Sequence, residues 1–289
     1  MSAAAPGRSK PTPAAGEDRA GPVPAPGAAI SNLKEVRKPG GGASGLGALG
    51  FLAARSGARD WSRLLLVSNH HVLFAHGAQP GDPVYQPRFD LVGDRFDLVG
   101  DRIAFEENPE AIATLASGGH EGNWRYAYPG EKEKEWFVDC AAAGLTDCGA
   151  VPDRGPVLFA SVARATAQDA RAGQGLRVSK LGRDTAPCGR IVGVDVTVSL
   201  GDGSPRHNNI VIRALPGPDG AVRAFAYEGD SGALVVDRLG RAVGLLWGVS
   251  LARPDEAYAS HIHPVLDCLK LVPYRRALAD GRGGRDGTG

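Results

Sequence analysis

Two short stretches hold the residues best suited to chemistry. In Val67-Ser68-Asn69-His70-His71-Val72-Leu73 an apolar run stops at Ser-Asn, and two histidines follow side by side. In Tyr227-Glu228-Gly229-Asp230-Ser231-Gly232-Ala233-Leu234-Val235-Val236 a serine stands between two glycines, just before a strand-like run. A serine hydroxyl is a weak nucleophile until a neighbouring base takes its proton. Imidazole, which titrates near neutrality, suits that task. Flanking glycines permit unusual backbone angles and leave room for amide N–H groups to face a developing oxyanion.

Other candidates are weaker. Gly45-Leu46-Gly47-Ala48-Leu49-Gly50 is formally a G-x-G-x-x-G. A dinucleotide site needs a strand before it, a helix after it and an acid about 20 residues on. Here Pro39 and three glycines precede it and Ser56-Gly57 soon interrupts, so it reads as a glycine-rich first strand with a close backbone approach. Arg88-Phe89-Asp90-Leu91-Val92-Gly93-Asp94 is repeated as residues 95–101, which reads as a lengthened surface loop. Its four aspartates lack an EF-hand pattern. His261 and His263 would share a face on a strand, but two ligands are too few for a metal. Cys140, Cys148, Cys188 and Cys268 lack zinc-type spacing and read as free thiols. No metal or cofactor is expected.

These residues need a scaffold, and the composition favours β-structure. The 289 residues are 43% apolar, with 41 glycines and 21 prolines that divide the chain into many short apolar runs. Lys and Arg total 33 against 32 Asp and Glu, a balance that gives no reason to expect nucleic acid or an anionic membrane as partner. Residues 1–29, rich in Ala, Pro and Gly, and residues 281–289 read as disordered tails. The N-terminal tail lacks the apolar core of a secretory signal, and no run is long enough to span a membrane, so a cytoplasmic location is expected. Strands are expected over Phe51–Arg55, Leu64–Phe74, within Gly81–Pro87, over Trp136–Gly144, Arg190–Leu200 (alternating from Val194), Asn208–Leu215, Ala221–Tyr227 and a hairpin turning at Asp237–Arg241. Residues 158–173 are ambiguous. Apolar residues at 265, 266, 269 and 272 have helical spacing, with Pro273 ending the helix.

Ser-Asn-His-His-Val far upstream of Gly-Asp-Ser-Gly resembles the chymotrypsin-like, or trypsin-like, serine peptidases, and bacterial members with an S/T-N-x-H-V motif in particular. The resemblance spans roughly residues 45–272. It implies an all-β fold of two packed six-stranded antiparallel barrels with a C-terminal helix across the back of the second. The first barrel would occupy 30–150, a linker 151–169, and the second barrel with the helix 170–280. It implies that His71, directly before Val72, is the general base, and His70 fills a variable position. The family's D-x-A-x-A segment matches Asp139-Cys140-Ala141-Ala142-Ala143, with Asp147 the alternative; Trp136-Phe137-Val138 would place Asp139 on a buried strand end. Ser231 would be the nucleophile, the backbone N–H groups of Gly229 and Ser231 the oxyanion hole, and Asp230 a structural partner of the loop. Residues 178–189 partly match the start of the second barrel. Gly244-Leu245-Leu246-Trp247-Gly248-Val249-Ser250 resembles the strand lining the specificity pocket, so Leu246, Trp247 and Gly248 would form its wall and Phe225 its base. No acid occupies that base, which implies an apolar or small residue before the scissile bond. Ala233 departs from the family, as does the lack of a cysteine beside His71.

The implied activity is that of a serine endopeptidase acting through an acyl-enzyme on a peptide or protein, with activity rising as the histidine deprotonates. A catalytically silent peptidase fold used as a binding module, and an esterase with the same three residues, are the alternatives.

Overall fold

The computed structural model describes residues 25–32, 46–58, 63–86, 111–146, 161–171, 175–181, 188–200 and 203–274. The duplicated segment, Asp147 and Cys148, most of the N-terminal tail and the whole C-terminal tail lie outside the described residues. In chain order the elements are β1 (Ala29–Ser31), β2 (Leu46–Ala48), β3 (Phe51–Arg55), β4 (Leu65–Ser68), α1 (His70–Leu73), β5 (Pro83–Tyr85), β6 (Ala111–Leu115), β7 (His120–Tyr126) and β8 (Lys134–Leu145). There follow β9 (Ser161–Val162), β10 (Arg177–Lys180), β11 (Cys188–Ser199), β12 (Pro205–Ala214), β13 (Leu234–Asp237), β14 (Arg241–Val249), β15 (Glu256–His261), α2 (Ile262–Leu269) and β16 (Leu271–Pro273).

The strands form two sheets. In the first the order is β16-β3-β4-β8-β6-β5-β1-β2, with β7 also paired to β8. Strands β2 and β3 are successive halves of one bent strand. At the bend, Leu49 N donates to Ala28 O on one side and Gly50 N to Val67 O on the other, both at 2.8 Å. The bend therefore closes a ring of six: the bent strand, β4, β8, β6, β5 and β1. In the second sheet β13-β10-β11-β12-β15-β14 closes directly through β13–β14, again six antiparallel strands, and β9 adds a short parallel edge to β14. Ile30, Leu52, Leu66, Leu73 and Val84 fill the first barrel. Ile191, Ile210, Ile212, Phe225 and Leu246 fill the second. Closure leaves few exposed strand edges.

Several expectations are corrected. Residues 70–73 are one helical turn rather than strand: Leu73 N bonds Asn69 O and Phe74 N bonds His70 O. The turn buries Val72 and Leu73 and leaves the two histidines half-buried. Residues 221–227 make only an isolated bridge between Val222 and Pro216, not a strand. Residues 25–29, assigned by sequence to the tail, are packed: Gly27 N donates to Leu49 O and Ala29 pairs with Ala48. The C-terminal helix ends at Leu269, where Lys270 adopts the left-handed conformation (φ 54, ψ 47), rather than at Pro273. It is not on the back of the second barrel. Its Ile262, Val265, Leu266 and Leu269 share one core with Phe51, Leu65 and Val138 of the first barrel and Leu234, Val236 and Leu245 of the second. The chain then returns to the first sheet, with Leu271 opposite Arg55 and Pro273 opposite Ala53. Helix and final strand thus clamp the two barrels together. No described helix is long and apolar enough to cross a membrane.

Candidate active site

Each residue of Ser68-Asn69-His70-His71-Val72 has a distinct task. Ser68 ends β4 and its hydroxyl donates to Ala48 O at 2.8 Å. Asn69 is fully buried, and its amide donates to Asp139 O at 2.7 Å, tying the turn to β8. Val72 fills the space above Gly47, where a Cβ would come within 2.5 Å of it. His71 is left facing a cleft, with its Nδ1 in a close hydrogen bond to Asp139 Oδ2. The other carboxylate oxygen, Oδ1, accepts from His70 N at 2.7 Å and His71 N at 3.2 Å. Asp139 is 1% exposed. Both its oxygens are thus occupied by the helical turn, so the imidazole is held in one orientation with Nε2 directed away from the carboxylate. Asp147, the alternative acid, lies outside the described residues.

Ser231 sits in a turn between the barrels' backbones. Gly229 (φ 94) and Gly232 (φ 91) both take left-handed conformations that side chains disfavour. Ser231 O accepts from Ala48 N at 2.7 Å and Gly232 N donates to Leu246 O at 2.8 Å, so the turn bridges the two barrels. The close backbone approach expected of the glycine-rich segment is directed here: a Cβ on Gly47 would lie 2.7 Å from Ser231 O, and one on Gly50 would lie 2.5 Å from Gly232 O. Asp230 turns away from the cleft. Its carboxylate accepts from Tyr227 N at 2.8 Å and forms an ion pair with Lys180, which is 3% exposed. Lys180 is a residue whose role the sequence did not disclose; it ends the short mixed strand Arg177-Val178-Ser179-Lys180, which carries no local signal of a buried lysine.

His71, Ser231 and Gly229 line one open cleft of about 660 Å³, together with Leu46, His70, Phe74, His76, Glu121, Ala226, Tyr227, Glu228, Leu246, Gly248 and Val249. The amide N–H groups of Gly229 and Ser231 have no acceptor among the described residues. Leu246 and Gly248 line the cleft as expected from sequence; Trp247 and Phe225 do not. Trp247 lies on the other face of β14, stacked with Tyr258 (5.4 Å) and edge-on to Phe137 (4.9 Å), its indole N–H bonded to Asn209 Oδ1 at 3.1 Å. Trp247 thus takes the face of β14 opposite Leu246. Phe225 is fully buried in the second barrel's core, against the position where Gly189 leaves out a side chain. Ala226 lines the cleft in its place.

His261 and His263 lie away from this cleft. His261 ends β15, is 1% exposed, and meets Trp136 edge-on at 4.9 Å. Burial pushes its pKa down to about 3, with Arg164 and His263 adding repulsion. Its Nε2 stands 3.4 Å from Asp195 Oδ1, too poorly aligned for a hydrogen bond. No group of three or more metal-binding side chains is present among the described residues. Cys140, Cys188 and Cys268 are free thiols.

The fold is the chymotrypsin-like double β-barrel. Among solved structures, Thermobifida fusca protease A is similar over 86% of this chain and 97% of its own, at 16% identity and a TM-score of 0.48. A chymotrypsin from Cellulomonas bogoriensis is similar over 87% and 98%, at 16% identity and 0.47. The Nocardiopsis protease is similar over 87% and 99%, at 17% identity and 0.45. No protein-family model matches the chain, and no curated protein matches it.

Proposed function

We propose that the chain is a serine endopeptidase that cleaves peptide bonds through an acyl-enzyme. The observation that carries this is the cleft itself: a serine in a glycine-flanked turn, two amides beside it with no acceptor among the described residues, and a histidine held by a buried carboxylate all open onto one space. In this reading Ser231 Oγ attacks the carbonyl carbon while His71 Nε2 takes its proton. Asp139 stabilises the imidazolium and fixes its tautomer through Nδ1. The N–H groups of Gly229 and Ser231 receive the oxyanion, each donor being worth about 2.7–4 kcal/mol in such sites. His71 returns the proton to the leaving amine, and water then releases the acyl group by the reverse sequence. No step calls for a metal or organic cofactor. Ala226, Leu246 and Gly248 offer small and apolar surface beside Ser231, which favours a small or apolar residue before the scissile bond.

Labelling by a fluorophosphonate probe tests the reading. The wild type is expected to label, and Ser231→Ala and His71→Ala are expected not to. A folded wild type that fails to label would point to a silent binding module, and one that labels and cleaves esters but no peptide to an esterase.

A further inference from the structure

The cleft's two walls differ in chemistry. Leu246, Gly248 and Val249 of β14 form one wall, and His70, Phe74, His76 and Glu121 belong to the other. If His71 hands its proton to the leaving amine, the residues that follow the scissile bond lie against the wall that carries His71. Glu121 stands on that wall, directly opposite Asp139 in the β7–β8 ladder, so its backbone is fixed by the same register that fixes the acid. Gly119, just before β7, allows this approach: a Cβ there would fall 2.8 Å from the His70 ring and 3.1 Å from Phe74. His70 stacks on Phe74 at 4.9 Å with the rings 10° from parallel. The outer side of that stack offers ring surface against which an aliphatic stem can lie.

Glu121 is ionised. Its contact with His70, 3.8 Å from Nδ1 to Oε2, does most to hold the carboxyl below the ordinary range, against the opposing effect of burial. His70 is the only ion-pair partner of Glu121 among the described residues, and the Glu121 side chain remains 38% exposed. Arg206, whose charge also acts on Glu121, lies over the rings of Phe137 and Trp247, at 5.2 and 5.6 Å. Glu228 adds a second carboxylate to the cleft.

We propose that Glu121 selects substrates carrying lysine or arginine at the first or second position after the scissile bond. The stem would lie over His70 and Phe74, and the cationic head would meet the Glu121 carboxylate. This inference rests on the serine-peptidase reading.

Acyl transfer tests it without knowledge of the residue before the bond. The enzyme is acylated by p-nitrophenyl acetate, and the acyl group is captured by dipeptide amides in competition with water. The amine nitrogen attacks the ester carbonyl, an amide forms, and Ser231 leaves with its proton restored. Lys-Ala and Ala-Lys amides, compared with Gln-Ala, Ala-Gln and Glu-Ala amides, report the leaving-group side alone. At least one lysine amide is expected to capture the acyl group about five-fold better than its glutamine counterpart, with the ratio shrinking in 1 M salt. Glu121→Gln should level the two, Glu121→Lys should favour the glutamate amide, and Glu133→Gln, which removes a charge elsewhere, should keep the wild-type ratio. Equal capture by wild type, or a lysine preference that survives in Glu121→Gln, would overturn the inference while leaving the peptidase reading intact. Absence both of p-nitrophenol release and of fluorophosphonate labelling in the folded wild type would overturn the peptidase reading, and this inference with it.

Discussion

The two barrels hold their halves of the site by different means. On the first-barrel side, Asp139 lies within a 12-residue strand, paired to β4 and β7 on either side, and three donors occupy its carboxylate. On the second-barrel side, Ser231 is outside any strand and depends on what the turn touches: Ala48 N, Leu246 O and the buried Lys180 beneath Asp230. His71 is placed by sheet register, and Ser231 by packing between barrels. The first arrangement tolerates changes that spare the ladder. The second is sensitive to substitutions far along the chain from Ser231.

The largest expected effect breaks the first half chemically without breaking it structurally. Asp139→Asn keeps the size of the side chain but cannot hold the productive imidazole tautomer. In trypsin, the worked case for this change, the loss in kcat is about 10⁴-fold. A similar fall is expected here, with the melting temperature little changed, as read by peptide hydrolysis and thermal unfolding. Retention of activity would remove Asp139 from the mechanism and send the search to acids outside the described residues.

Lys180→Met breaks the second half from beneath. It leaves the Asp230 carboxylate without its cation in a largely buried setting, and removing one partner of such a pair costs about 3 kcal/mol or more. Denaturant unfolding should show that loss, and kcat should fall with it because Asp230 also holds Tyr227 N and so shapes the turn. A variant destabilised but fully active would show that the turn is held by its cross-barrel backbone bonds alone.

Acid should loosen the seam between the halves. His261 packs on Trp136 of β8, and burial lowers its folded pKa from 6.5 to about 3. Protons therefore bind the unfolded chain more readily than the folded one over that interval. The stability this histidine contributes is complete above about pH 6.5 and is lost as pH falls toward 3, with about 2 kcal/mol gone by pH 5. Urea midpoints at pH 7 and pH 5 should show that drop in the wild type and a smaller one in His261→Leu. Equal drops would assign the acid lability to carboxylates instead.

How much of this was legible in the sequence follows the same division. The barrels' long strands and the β13–β14 hairpin were readable because alternation and turn residues are local signals. That His71 and Ser231 would share a cleft, with Asp139 behind His71, was readable because motifs are local too. Strands β6, β7 and β15 were not read, since Ala111–Leu115, His120–Tyr126 and Glu256–His261 carry too few large apolar residues to alternate visibly. Phe225 and Trp247 were misplaced because a motif gives order along the chain and not orientation: Trp247 takes the face of β14 opposite Leu246, and Phe225 lies outside any strand, where packing at Gly189 takes it into the core. Helix α2 was read as a helix, but its partners come from both barrels, and no one-dimensional pattern states that.

The smallest predicted effect separates crowding from backbone strain. Gly47 has no positive φ among the described glycines, but a Cβ there would enter Val72 and approach Ser231 O. Gly57 has φ +80 and open space around it. Gly57→Ala should cost about 1 kcal/mol from conformation alone and leave kcat unchanged. Gly47→Ala should cost a similar or slightly larger amount, about 1–3 kcal/mol by overpacking, yet lower kcat, because the atoms that must yield carry the helical turn of His71 on one side and the backbone of Ser231 on the other. Thermal unfolding and peptide hydrolysis on the two variants decide the matter. If both lose stability and neither loses rate, the nucleophile turn is self-supporting. A rate loss confined to Gly47→Ala means that the backbone of the first barrel at Gly47 sets the mutual placement of the His71 turn and Ser231.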